Sequence, residues 1–182
     1  MAVPSIFLIG MMGAGKSTVG KKLAARLGLR FIDLDRELEA RCGASIPTIF
    51  ELEGEEGFRR RESGLVDEVS LLPDTVLGTG GGVVTVASNR ESLQSRGFVI
   101  YLRATAPDLW NRLKRDKGRP MLRAPNARVR MEQLLAQRIP LYESIAHLTV
   151  DTGKRPVSDV IRSIEARLPA GYIVNERQTS DH

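Results

Sequence analysis

Residues 6–18 read IFLIGMMGAGKST, and this stretch decides the fold. Its four apolar residues at the start predict a buried strand. The residues from 16 to 27 carry apolar side chains at a helical period that ends at Gly28, which predicts a helix. A strand, a glycine-containing loop and a helix therefore follow one another near the beginning of the chain.

The loop in this stretch matches the phosphate-binding spacing G-x-x-x-x-G-K-[ST] at Gly10, Gly15, Lys16 and Ser17. Glycines let backbone N–H groups turn towards a polyphosphate, and the following helix points its positive end at the same anion. Lys16 is expected to contact the phosphates and Ser17 to ligate Mg²⁺. A glycine-rich turn with an incidental lysine is the alternative. The residues expected to contact a nucleoside triphosphate here are Gly13, Ala14, Gly15, Lys16, Ser17 and Thr18.

The rest of the chain alternates short apolar strands with amphipathic helices, which predicts a parallel α/β sheet covered by helices on both faces. Strands are expected at 5–9, 30–33, 75–78, 98–102 and 147–150. Helices are expected at 16–27, 36–42, 46–70, 89–96, 105–116, 127–145 and 156–168. Residues 1–168 are expected to form one domain and residues 169–182 a flexible tail.

Composition excludes several classes of protein. The 182 residues are 42% hydrophobic and 27% charged, as in ordinary globular domains, and the single cysteine rules out an intramolecular disulfide. No apolar run approaches the length of a membrane span and no basic leader is present, so a cytoplasmic protein is expected. A basic block at 112–130 could bind nucleic acid, but its lack of aromatic residues favours a small polyphosphate or a solvated helix face.

Two carboxylates follow the second strand in FIDLD, at Asp33 and Asp35. In an extended chain residues two apart point to one side, and the carboxyl ends of parallel strands face the ligand crevice. Asp33 is therefore expected beside Mg²⁺, and Asp35 beside an acceptor hydroxyl as hydrogen-bond acceptor or base. The alternative is that Asp35 caps the helix that follows.

Arginines and glycines suggest where an acceptor binds. In GEEGFRRRES, the three successive arginines cannot all face one pocket at about 100° per residue. Glu62 is close enough to fix Arg59, and we expect Arg60 and Arg61 to form a solvated face. The run Gly80-Gly81-Gly82 indicates close approach to a ligand or, alternatively, a flexible turn.

The basic segment at about 112–126 contains KRDKGRPML, in which Gly118 and Pro120 interrupt the helical pattern. We expect a lid that closes on binding and presents Arg119 to the developing charge. Further on, QRIPLYES places Arg138 on a helix. His147 begins a strand and is expected to be a packed side chain.

Together these stretches resemble the shikimate kinases, over about residues 5–168. The resemblance rests on seven motifs in order: GMMGAGKST, FIDLD, GEEGFRRRE, GTGGG, GRPML, QRIPLY and VDTGKRP. It implies a five-stranded parallel sheet of the P-loop nucleoside monophosphate kinase type. It also implies that ATP phosphorylates the 3-hydroxyl of shikimate, giving shikimate 3-phosphate and ADP.

The resemblance also implies roles for single residues. Catalytic roles fall to Lys16, Asp35 and Arg119. Nucleotide contacts extend to Arg112, Arg119 and Arg155, and Mg²⁺ is bound by Ser17 and, through water, by Asp33. Shikimate is bound by Asp35, Arg59, Gly80, Gly81, Gly82 and Arg138.

The sequence is also compatible with other functions. A related kinase could act on another hydroxylated acid such as gluconate or on a nucleotide, and a non-catalytic ATP-binding module is a further alternative. The arginine pair with Asp35 favours a carboxylate that bears hydroxyls. The partners expected are ATP and shikimate, with no nucleic acid or membrane, and the protein is expected to be a monomer.

Overall fold

The computed structural model describes residues 3–116 and 124–172. The strands are β1 (Ser5–Ile9), β2 (Arg30–Asp33), β3 (Thr75–Gly78), β4 (Gly97–Arg103) and β5 (Leu148–Asp151). The helices are α1 (Lys16–Leu27), α2 (Leu34–Cys42), α3 (Ile46–Val69), α4 (Ala87–Arg96), α5 (Ala106–Leu113), α6 (Ala127–Ile145) and α7 (Val157–Glu165). Short 3₁₀ turns occupy Val83–Thr85 and Ala170–Tyr172.

The five strands form one parallel sheet in the order β2-β3-β1-β4-β5. β1 is central, with Phe7 opposite Leu77 of β3 and Val99 of β4. The strand order reverses at β1, and parallel sheets bind ligands beyond the carboxyl ends of their strands at such a point. The glycine loop after β1 lies at this position. The predicted five-stranded parallel fold is confirmed.

Helices cover both faces of the sheet, which explains why β1 is apolar from Ile6 to Ile9 and buried along its whole length. Ile6 and Leu8 belong to a buried cluster that includes residues of α1, α5 and α7. Phe7 and Ile9 belong to a second cluster, built with residues of α2, α3 and α4. Alternate residues of the strand thus enter opposite cores, and the rigid sheet between them fixes the start of the loop.

A break inside α3 brings two helical parts to one cavity. Gly54 has φ 70° and ψ −178°, a conformation that interrupts the helix and that side-chain-bearing residues rarely adopt. Phe50 before the break and Phe58 after it stack with ring centroids 4.6 Å apart. Both line the larger of the two cavities described below.

The second strand ends too early to contain both Asp33 and Asp35. β2 stops at Asp33 and α2 begins at Leu34, so Asp35 lies in the first turn of a helix. The prediction that both aspartates project from one extended strand is wrong, because the helix starts between them. The turn nevertheless leaves both side chains on one cavity.

At the carboxyl end, packing continues past the domain boundary predicted at residue 168. Tyr172 is buried, and its ring lies 5.6 Å from that of Phe98. Residues 173–182 of the expected tail and residues 117–123 of the basic segment lie outside the described part of the chain. None of the described helices is long and apolar enough to cross a membrane.

Candidate active site

The loop after β1 holds the ammonium group of Lys16 against its own backbone. Lys16 Nζ donates to the carbonyl oxygens of Gly10 at 2.6 Å and of Met11 at 2.9 Å. Gly15 precedes α1 with φ 96°, so a left-handed residue turns the chain into the helix. The cation is only 9% exposed and lies beside the N-terminus of α1, where an anion is favoured.

Ser17 and Asp33 form the site expected for a cation. Ser17 Oγ donates to Asp33 Oδ2 at 2.6 Å, while Asp33 Oδ1 accepts from the backbone N–H of Arg36 at 3.2 Å. Asp33 therefore caps α2, and the alternative in which Asp35 is the cap is wrong. A hydroxyl beside a carboxylate suits Mg²⁺, which prefers oxygen ligands and keeps several waters. The described residues contain no cluster of three or more acidic, His or Cys ligands.

A cavity of about 460 Å³ surrounds the glycine loop, and we call it the loop cavity. It is lined by the loop residues predicted to contact a nucleotide and by two of the predicted arginines. These residues are Gly13, Ala14, Gly15, Lys16, Ser17, Thr18, Arg112 and Arg155. Thr152, Val157 and Val160, from the segment after β5 and from α7, also line the loop cavity.

Arg112 connects the glycine loop to the segment after β5. Its Nη1 donates to the carbonyl oxygen of Gly13 at 3.0 Å, and its Nη2 donates to that of Gly153. Arg155 instead donates to the carbonyl oxygens of Asp151 and Asp159. Arg112 therefore couples the two walls of the loop cavity, and Arg155 stiffens one of them.

A second cavity of about 680 Å³ adjoins the first, and we call it the arginine cavity. Residues from both parts of α3, from the glycine run after β3 and from α6 enclose it. Its charged and polar lining comprises Asp35, Glu55, Arg59, Glu62, Gly80, Gly81, Gly82, Arg130 and Arg138. Every residue predicted to bind the acceptor lies on this cavity.

Arg59 is held on this wall by two carboxylates. Its Nη1 lies 2.6 Å from Glu62 Oε1, and its Nε lies 3.7 Å from Glu55 Oε1. Arg60 and Arg61 pair with acidic residues on the exposed side of α3. The expectation that only Arg59 faces inward is confirmed.

Glu62 is a buried carboxylate with an unused oxygen. It is 1% exposed, and its Oε2 has no hydrogen-bond partner among the described residues. Burial raises the pKa of Glu62, while the adjacent charge of Arg59 opposes the rise. This side chain fixes Arg59 and adds negative charge beside Asp35.

The glycine run after β3 makes room for these charged side chains. A Cβ on Gly80 would lie 2.9 Å from Asp35 Oδ1 and 3.1 Å from Glu62 Oε2. One on Gly82 would lie 2.1 Å from Arg59 Nη2. The run is therefore a closely packed wall, which favours close approach of other groups over a merely flexible turn.

Arg138 and Tyr142 support the same wall from α6. Arg138 is 8% exposed, with Nη1 3.7 Å from the sulfur of Met11. The hydroxyl of Tyr142 donates to the carbonyl oxygen of Gly81, and its ring stacks on Tyr101 at 5.0 Å. Burial raises the pKa of Tyr142, which keeps this hydroxyl a donor.

The two cavities share four lining residues, Met12, Asp35, Gly80 and Gly81. Asp35 thus lies where the contents of one cavity would meet those of the other. His147 lies on neither cavity: its Nδ1 accepts from Val99 N at 2.9 Å and its ring stacks on Phe98. The residue is nevertheless exposed, so the prediction of a packed histidine is confirmed for its contacts and wrong for its burial. Arg119 falls outside the described residues.

Sequence reasoning missed several lining residues. Phe50 lies in none of the quoted motifs, and Met12 and Phe58 lie inside GMMGAGKST and GEEGFRRRE as apolar residues to which no chemical role was assigned. Arg130 did carry a signal, since Arg130, Leu134 and Arg138 recur at four-residue spacing on α6 and all line the arginine cavity.

A phosphate loop on the central strand of a parallel sheet, next to a second cavity rich in arginine and carboxylate, defines a small P-loop kinase. Comparisons with known proteins agree. The family model for shikimate kinase matches residues 12–169. The chain belongs to the shikimate kinase family.

Individual relatives support this placement. The chain is 49% identical to a shikimate kinase of Bordetella pertussis over 165 residues, covering 91% of this chain and 78% of that protein. It is 48% identical to one of Ralstonia nicotianae over 174 residues, covering 96% and 92%. The structure of shikimate kinase from Acinetobacter baumannii in complex with shikimate matches with a TM-score of 0.86 at 44% identity, covering 92% and 96%.

Proposed function

We infer that this chain catalyses transfer of the γ-phosphoryl group of ATP to the 3-hydroxyl of shikimate, giving shikimate 3-phosphate and ADP. The observation that carries this inference is the wall shared by the two cavities. A donor in the loop cavity and an acceptor in the arginine cavity would meet at Asp35. Proximity of this kind is the main requirement of direct phosphoryl transfer.

On the donor side, we propose that the loop residues and Arg112 bind the nucleotide and that Arg155 supports the wall near it. Lys16 would exchange its loop carbonyl partners for phosphate oxygens and offset their charge. Mg²⁺, held by Ser17 and through water by Asp33, would neutralise charge on the phosphates. Arg119, which lies outside the described residues, is proposed to act from the lid segment at 112–126 on the same group.

On the acceptor side, we propose that Arg59 and Arg138 bind the carboxylate of shikimate. Guanidinium groups match carboxylates with two parallel hydrogen bonds. Because Gly80 and Gly82 carry no side chains, Asp35, Glu62 and Arg59 can pack against this wall, and we propose that the ring lies beside them. Asp35 accepts a hydrogen bond from the reacting hydroxyl, which orients that oxygen and provides a base for its proton.

Gluconate is the rival acceptor. A gluconokinase of Sinorhizobium meliloti matches the structure with a TM-score of 0.60 at 20% identity, which shows a common fold alone. The arrangement of two arginines, Asp35 and a short glycine wall suits a compact cyclic acid better than an extended one. We further propose that the protein works as a monomer in the cytoplasm, without nucleic acid or membrane partners.

A coupled assay of ADP release tests this function. Shikimate, gluconate and nucleoside monophosphates are offered separately with ATP and Mg²⁺, and the phosphorylated product is identified by mass. We expect turnover with shikimate and near-background rates with the others. Turnover of gluconate without turnover of shikimate would overturn the proposal, and release of ADP without any acceptor would indicate an ATPase.

A further inference from the structure

We propose that Arg130 is the residue that draws the anionic acceptor into the arginine cavity. The proposal rests on the function inferred above and extends it by assigning a third cation to acceptor capture. Arg130 does not contact the reacting atoms in this scheme. It acts on the rate of productive acceptor binding, through the charge of the cavity.

Arg130 and Arg138 lie at the two ends of one row of side chains on α6. Arg130, Leu134 and Arg138 follow one another at intervals of four residues on α6, and all three line the arginine cavity. At about 1.5 Å per residue, the two arginines start about 12 Å apart along the helix. Arg138 is buried at one end of this row, and Arg130 is exposed at the other. The row leads from solvent to the buried cation.

Positive and negative side chains are equal in number in the described lining of the arginine cavity. Its lining contains three carboxylates, Asp35, Glu55 and Glu62, and three arginines, Arg59, Arg130 and Arg138. When all are ionised, the described lining is neutral only because Arg130 is present. Without it, the described lining would present a net negative charge to an acceptor that carries a carboxylate. Like charge in such a setting slows association.

Arg130 makes no side-chain hydrogen bond or ion pair within the described residues. Arg128, two residues earlier on α6, pairs with Glu132 at 2.9 Å and lines neither cavity. Arg59 is the arginine that pairs with Glu55 and Glu62. No carboxylate of the described residues pairs with Arg130, so its guanidinium acts on whatever enters the cavity.

The test compares Arg130→Gln with Arg128→Gln, which removes the same charge from the same helix outside the cavity. Steady-state kinetics are measured at ionic strengths of about 0.02 M and about 0.5 M, where screening is weak and strong. At low salt we expect Arg130→Gln to lower kcat/KM for shikimate about threefold or more, through KM, with kcat and the KM for ATP unchanged. Arg128→Gln should match the wild type, and Arg130→Lys should recover most of the loss.

Salt separates electrostatic capture from a structural role. The defect of Arg130→Gln should largely disappear at high ionic strength, because screening removes the wild-type advantage. An unchanged kcat/KM at low salt, or a defect that persists in high salt, would overturn the role of Arg130. A wild-type protein that does not phosphorylate shikimate would instead overturn the proposed function.

Discussion

The guanidinium group of Arg59 occupies the space in which a side chain on residue 82 would begin. A Cβ built on Gly82 would lie 2.1 Å from Arg59 Nη2 and 2.7 Å from Arg59 Cζ. The backbone of Gly82, with φ −96° and ψ 3°, would accept an alanine. The requirement for glycine here is therefore set by the arginine and not by the backbone.

Gly82→Ala is expected to displace Arg59 and raise the KM for shikimate. Loss of a charged hydrogen bond is worth about 1.5–3 kcal/mol, which corresponds to about a 10- to 100-fold rise. The KM for ATP should stay the same, because Gly82 does not line the loop cavity. Gly64→Ala is the control: a Cβ added there would meet no atom within 4 Å beyond its own stretch of helix, so alanine should stabilise α3 by about 0.5–1 kcal/mol without kinetic effect. Equal shikimate KM values in the two variants would contradict this account.

Arg59→Lys should raise the KM for shikimate while the protein stays folded. Lysine keeps the positive charge beside Glu62 but loses the fork that binds a carboxylate with two parallel bonds. Alanine would leave a buried carboxylate without its cation, at a cost of about 3–5 kcal/mol. Weaker binding of shikimate could then not be distinguished from loss of folded protein. Arg60→Lys, on the exposed side of the helix, serves as the control. An unchanged KM for shikimate in Arg59→Lys would refute the assignment.

Replacing Asp33 separates its two roles. Asn accepts the hydrogen bond from Arg36 N as Asp does, so Asp33→Asn should keep the melting temperature. It should raise the Mg²⁺ concentration for half-maximal activity about tenfold or more, because Asp33 is proposed to hold the water molecules bound to the metal. Asp33→Ala should add a loss of stability of about 1 kcal/mol. Wild-type Mg²⁺ dependence in Asp33→Asn would remove Asp33 from the proposed metal site.

Glu62→Gln should change how stability depends on pH. Burial raises the pKa of Glu62 from its ordinary value of 4.5 despite the opposing charge of Arg59. The folded protein therefore binds this proton more tightly than the unfolded chain does. Its contribution is complete below about pH 4.5 and is lost as the pH rises through the folded pKa. Melting temperatures should favour the glutamine variant increasingly from pH 4.5 towards neutrality. A difference that is constant or moves the other way would contradict the raised pKa.

Lys16→Ala should abolish turnover. Removal of one preorganised charge that faces the transferred group costs about 10²–10³ in kcat, and this lysine is also the cation of the loop. Lys21→Ala, exposed on the same helix, should keep wild-type activity. Binding of a fluorescent ATP analogue measures whether the loop of Lys16→Ala still folds around phosphate. Substantial residual kcat in Lys16→Ala would exclude the proposed role.

The sequence predicted the sheet well because its strands are short apolar runs interrupted by glycines and amphipathic helices. β1, β2 and β3 have the predicted bounds. The start of α2 was missed because Asp33 combines two roles, ending a strand and capping the helix that follows. Local propensity gives no sign that one carboxylate does both.

The sequence predicted those site residues whose chemical type the reaction requires. It did not predict those that contribute by packing or by their position in the fold. Lys16, Asp35, Arg59 and Arg138 were named from motifs, and each lies on a cavity. Phe50 contributes through the break at Gly54, which no periodicity reveals. Tyr142 acts through a bond to the backbone of Gly81, a contact between segments far apart in the chain.

The wall common to the two cavities limits how this enzyme can be redesigned. A substitution at Met12, Asp35, Gly80 or Gly81 alters the surroundings of donor and acceptor together, so selection for a new acceptor at these positions would also disturb use of the nucleotide. Phe50 and Leu134 line the arginine cavity alone, so substitutions there should leave the use of the nucleotide unchanged. Libraries aimed at new acceptors should begin there.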